Sequence, residues 1–98
     1  MAFPQAFIDE LIARNPIEDV VGQHVTLKRS GANLFGLCPF HGEKTASFSV
    51  NPPKGIYYCF GCHKGGGVIN FQMEVEGLSY PDAVRALAKR AGMSVPED

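Results

Sequence analysis

The chain has 98 residues, three cysteines and a net charge of −1. That length buries only about 60 to 65% of the unfolded surface, which allows one small domain whose core needs reinforcement. No apolar run approaches the ~18 residues that span a bilayer, and the N-terminus lacks the charged-then-apolar pattern of an export signal, so a cytoplasmic protein with no membrane partner is expected. In a reducing compartment an odd cysteine count argues against a disulfide framework and for metal ligation.

Pro4, Phe7, Ile8, Leu11 and Ile12 predict a short amphipathic helix over about 4–14. Asn15-Pro16 stops it and restarts a second, with Asn15 as N-cap, Pro16 at the first position, Glu18 at the third and an end near Gly22. From Gln23 the period becomes two, with Val25 and Leu27 facing one way and His24, Thr26 and Lys28 the other, which reads as a strand. After a turn at 29–33, Leu34 to Leu37 form a second strand, Phe48-Ser49-Val50 a third and Ile56-Tyr57-Tyr58 a fourth, the last two joined by the turn Asn51-Pro52-Pro53-Lys54-Gly55. Gly65-Gly66-Gly67 release the chain into a helix carrying Val68, Ile69, Phe71, Gln72, Met73 and Val75 and closed by Gly77. A last helix is capped by Ser79, lined by Ala83, Val84, Leu87 and Ala91, and ended by Gly92.

Cys38-Pro39-Phe40-His41 and Cys59-Phe60-Gly61-Cys62 sit at strand ends and use every cysteine. Zinc takes four such donors at about 2.0 to 2.3 Å, and two residues between ligands present both from one tight knuckle. Cys38, His41, Cys59 and Cys62 would leave no position for water, which makes the zinc structural. His63 is the alternative fourth ligand, disfavoured because its neighbour Cys62 already takes a corner. Read as haem attachment, Cys59 to His63 would leave Cys38 and His41 without a purpose, and a redox pair would open a helix.

The expected fold class is therefore α+β, a small antiparallel zinc ribbon flanked by short helices. One domain would occupy 1–96, with a helix-break-helix entry at 4–22, the ribbon at 23–65 and closing helices at 67–92. Residues 93–98 would be a tail or the start of a linker.

Charge is unevenly placed: residues 23–65 carry net +4, whereas 1–22 carry −3 and 66–98 carry −2. On the ribbon Lys28, Arg29, Lys44, Lys54 and Lys64 interleave with Phe48, Tyr57 and Tyr58. Cations that track phosphates and rings that stack bases bind single-stranded nucleic acid in this way; five scattered cations also make an ordinary solvated face. Neighbouring strand residues face opposite sides, so one of Tyr57 and Tyr58 points in and the other out. No nucleophile-base pair or clustered carboxylates stand out, and no catalytic residue is assigned.

Gly36-Leu37-Cys38-Pro39-Phe40-His41, Glu43-Lys44-Thr45, Ser47-Phe48-Ser49-Val50 and Tyr58-Cys59-Phe60-Gly61-Cys62 closely resemble the N-terminal zinc-binding domain of bacterial DNA primases, a zinc ribbon of the CHC2 type. The likeness runs from about Pro4 to Pro96. It implies a non-catalytic module of an enzyme that makes short RNA primers, one that recognises single-stranded DNA template and presents it to a polymerase domain in cis or in trans. That polymerase domain, and the C-terminal region that contacts the replicative helicase, would lie outside these residues. Family precedent favours Lys44, Phe48 and Tyr58 among the DNA contacts. Ala46 stands where proline is usual, His63 where glycine is usual and Gln72 where an apolar residue is common. Two other readings are a protein-docking ribbon and the zinc domain of a phage or plasmid primase-helicase.

Overall fold

The computed structural model describes residues 3–40 and 47–96. His41, Lys44 and Ala46 lie outside the described residues. Helices α1 (Gln5–Arg14) and α2 (Ile17–Gly22) precede strands β1 (Lys28–Ser30), β2 (Asn33–Gly36), β3 (Phe48–Asn51), β4 (Ile56–Cys59) and β5 (Gly65–Gly66), and helices α3 (Val68–Glu76) and α4 (Tyr80–Ala91) follow. The five strands pair antiparallel in chain order. Helix α2 packs on β3 and α3 on β4 and β5, while α4 packs on α1 and α3 as a second tier.

Burial follows the strand period. In β3 and β4 Phe48, Val50, Tyr57 and Cys59 turn inward, and Ser49, Ile56 and Tyr58 turn out. Phe48 and Tyr57 stack at 5.5 Å between ring centroids, and Phe40 and Phe71 close the cluster from above. This aromatic block, with Leu11, Val20, Val21, Val84 and Leu87, is the core.

Four local expectations are corrected. The strand expected from Gln23 begins only at Lys28, because the N–H groups of Gln23, His24 and Val25 still donate to carbonyls of Val20 and Val21. Asn15 does not cap α2; Pro16 holds that position. The Asn15 side chain instead turns inward, its amide donating to the Leu11 and Leu87 carbonyls at 2.9 and 3.2 Å while its oxygen accepts from Arg90 at 3.0 Å. Gly65-Gly66 is a fifth strand, paired to Tyr58 and Tyr57, and not simply a release from the knuckle. Beyond α4, Met93 and Val95 pack half-buried against the core, with the Met93 N–H donating to the Ala88 carbonyl at 2.8 Å.

Gln72 is buried, and its amide donates to Glu76 at 3.0 Å, so a polar residue is accommodated in the apolar face of α3. Ser79 caps α4 as expected, accepting from the Asp82 N–H. Among the described residues no helix is long and apolar enough to cross a membrane.

Candidate metal centre and the open sheet face

Strand β2 runs out into Leu37 and Cys38, β4 ends on Cys59, and the turn that follows carries Cys62. The strands therefore deliver the three sulfurs to one end of the sheet, where all lie within 4.8 Å of one another. Cys38 Sγ and Cys62 Sγ are 3.8 Å apart. Two sulfurs at two corners of a tetrahedron with zinc-sulfur bonds of about 2.3 Å stand about 3.8 Å apart, whereas a disulfide requires about 2.05 Å. The donor set fits zinc in both chemistry and spacing.

The surroundings treat the thiols unequally. Burial pushes Cys38 up to about 12, against the Phe40 N–H that donates to its sulfur at 3.4 Å. Burial acts on Cys59 too, but there the N–H groups of Cys62 and Gly61 and the Ser47 hydroxyl outweigh it and lower the thiol to about 7. A bound dication ionises all such ligands together at neutral pH. The knuckle is held by backbone bonds from Phe60 to Ser47 at 2.9 Å, from Cys59 to Lys64 at 2.8 Å and from His63 to Cys59 at 2.8 Å.

His63 does not join the three sulfurs; its Nδ1 lies 2.9 Å from the Tyr58 phenol oxygen. It stands in the left-handed region at φ 62°, a conformation that glycine adopts more readily than a residue with a β-carbon.

The basic and aromatic residues separate into distinct places. Register aligns Lys28, Phe35, Ser49, Tyr58 and Gly65 across all five strands on the outer face. Arg29 falls in the next row, with Leu34, Val50 and Tyr57, on the helix side, so Lys28 and Arg29 do not share a face. Phe48 and Tyr57 are core residues, 0% and 2% exposed, and leave no ring face for a base. Tyr58 is the outward tyrosine at 37%. Lys54 lies at the opposite end of the β3-β4 hairpin, lining a cleft with Ile12, Pro16 and Glu18. Lys64 is paired with Glu74 at 3.2 Å and stands 5.9 Å from the Phe40 ring centre.

Two outward rings were not among the sequence candidates. Phe60, 62% exposed, meets Tyr58 at 5.1 Å between centroids and 73° between planes, and Phe35 lies in the same row as Lys28 and Tyr58. The signal for Phe60 was available: continuing the alternation of β4 by one step past Cys59 places it outward.

The model of the CHC2 zinc finger family matches residues 3–98. The DNA primase of Pseudomonas aeruginosa is 52% identical over 95 residues, covering 97% of this chain and 14% of that protein. A Neisseria meningitidis DNA primase is 53% identical over 94 residues, covering 96% of this chain and 16% of that protein. The crystal structure of the Aquifex aeolicus primase, comprising its zinc binding and RNA polymerase domains, superposes with a TM-score of 0.86 at 41% identity, covering 98% of this chain and 23% of that one. The chain thus spans only 14% to 16% of the length of these curated relatives.

Proposed function

The chain belongs to the CHC2 zinc finger family, and from that premise we propose that it is the template-recognition module of a bacterial DNA primase. Single-stranded DNA lies across the open sheet face, and one structural zinc holds the sheet end. Cys38, Cys59 and Cys62 supply three ligands and His41 the fourth. A zinc ion held by these residues would keep the thiols ionised; in zinc-finger peptides such a site contributes roughly 10 to 16 kcal/mol of apparent binding free energy.

The observation that carries the reading is the row Lys28, Phe35, Ser49, Tyr58, Gly65 on the outer face, opposite the helices. It sets Lys28 on β1 and Tyr58 on β4 in one line, three strand spacings of about 4.8 Å apart, with Phe35 between them. Lys28 neutralises template phosphate and Tyr58 stacks a base, with Lys44 a further backbone contact on family precedent. Lys54 and Arg29 point elsewhere and contribute little. The module binds and does not polymerise. The polymerase domain acts on the held template from the same or a neighbouring molecule, the replicative helicase engages the remainder of the protein, and the setting is the cytoplasmic replication fork.

A second reading, a protein-docking surface, draws on Leu37 and Ile56, which are exposed apolar residues of the outward side. Fluorescence anisotropy of labelled single-stranded oligonucleotides with the zinc-loaded chain separates the two. Binding should weaken steeply with salt, and Tyr58→Ala should cost roughly 1 to 3 kcal/mol. Lys28→Ala should reduce the salt slope by about 1, while Lys54→Ala leaves affinity nearly unchanged. The isolated module works without a tethered polymerase to raise effective concentration, so the titration extends to high protein concentration. Binding indifferent to salt, Lys28→Ala and Tyr58→Ala would sink the template reading.

A further inference from the structure

We propose that His63 is a positioning residue that fixes the ring of Tyr58, so that Tyr58 and Phe60 form a two-walled seat for one unpaired base. The inference rests on the reading that this face takes single-stranded DNA, and adds which base contact is preorganised and by what.

An outward tyrosine on a strand ordinarily exchanges rotamers freely. Tyr58 is held at three points. Its hydroxyl lies 2.9 Å from His63 Nδ1. Phe60 stands against it nearly edge to face, 5.1 Å between centroids. The ring also passes Gly65 so closely that a β-carbon there would lie 2.9 Å from Tyr58 Cδ1. A ring already placed loses less freedom when a base stacks on it, which favours binding without any new contact.

The backbone of His63 strengthens the assignment. At φ 62° a residue with a β-carbon is strained where glycine is not. Strain of this kind collects at functional sites, and here the strained residue spends its side chain on Tyr58 alone among the described partners. With Nδ1 engaged, Nε2 remains as a polar group beside the Tyr58 ring, 6.2 Å between centroids. A base seated there meets apolar walls and one hydrogen-bonding edge, which gives the seat a preference among bases.

The test uses the zinc-loaded chain with labelled oligo-dT, oligo-dC and oligo-dA, and the variants Tyr58→Phe, His63→Gly and the double. Glycine adopts the left-handed conformation freely, so His63→Gly should fold, as circular dichroism and zinc content will report. Each single change should lower affinity about two- to tenfold, the range one hydrogen bond supplies, and narrow the spread among the three oligonucleotides. The double should be no weaker than His63→Gly alone, because the bond that Tyr58→Phe removes is already lost there. If neither single change alters affinity or base preference, or if their effects multiply in the double, while Lys28→Ala and Tyr58→Ala still weaken binding, the positioning role is wrong and the face reading stands. If Lys28→Ala and Tyr58→Ala are silent as well, the face reading itself fails.

Discussion

Asn15 shows how much one side chain can join. It is 1% exposed, and its amide and oxygen together connect the last turn of α1 to the Leu87 carbonyl and Arg90 of α4, more than seventy residues away. A buried polar group so placed is favourable only while each partner is satisfied. Asn15→Ala should therefore cost about 2 kcal/mol, from two carbonyls and a guanidinium left without their partner. Urea unfolding should show a lower midpoint at unchanged slope, and Arg90→Ala, which empties a partly solvated contact, should cost less. In the sequence, Asn-Pro after an apolar helix carries the signature of a stop and a cap. The stop is real; the inward turn of the side chain depends on α4, which no local pattern around residue 15 reveals.

At the level of elements, the four helices and the β3-β4 hairpin were legible because period, helix-stop and turn residues agree there, even where the cap of α2 was misplaced. The edge strands were not. Val25 and Leu27 do alternate with exposed neighbours, but alternation reports facing and not pairing, and their segment is still leaving α2. Gly65-Gly66 carries no side chains to alternate, so its strand is visible only through the backbone of Tyr57 and Tyr58. Of the candidate site, the convergence of three thiols followed from spacing alone. The sorting of Lys28 from Arg29 and of Tyr58 from Phe48 and Tyr57 required the register. Gly36 displays the same dependence. A β-carbon there would lie 2.6 Å from Val25 Cγ1 and 2.7 Å from the Thr26 carbonyl, because the segment entering β1 passes directly over it. Gly36→Ala should destabilise by roughly 1 to 3 kcal/mol, seen as a lower thermal midpoint, whereas Gly22→Ala, which meets open space, should not lower it.

For the whole molecule, the sheet is the shared floor of the core, and the metal ligands join its strand ends. A strong chelator should abolish the β signal in circular dichroism and disorder at least residues 34–65, since zinc contributes more than the usual stability of a domain this small. An unchanged spectrum would show that the sheet stands without its metal. All three thiols lie at one end of the strands, while the Pro52-Pro53 turn closes the β3-β4 hairpin at the other, with the Gly55 N–H donating to the Asn51 carbonyl at 2.8 Å. As zinc is progressively withdrawn, one end of the ladder is therefore released before the far end, which has its own fastening. Residue-resolved amide exchange should register this as a gradient: the N–H groups of Cys59 and Phe60, bonded beside the sulfurs, lose protection first, and that of Gly55 loses it last.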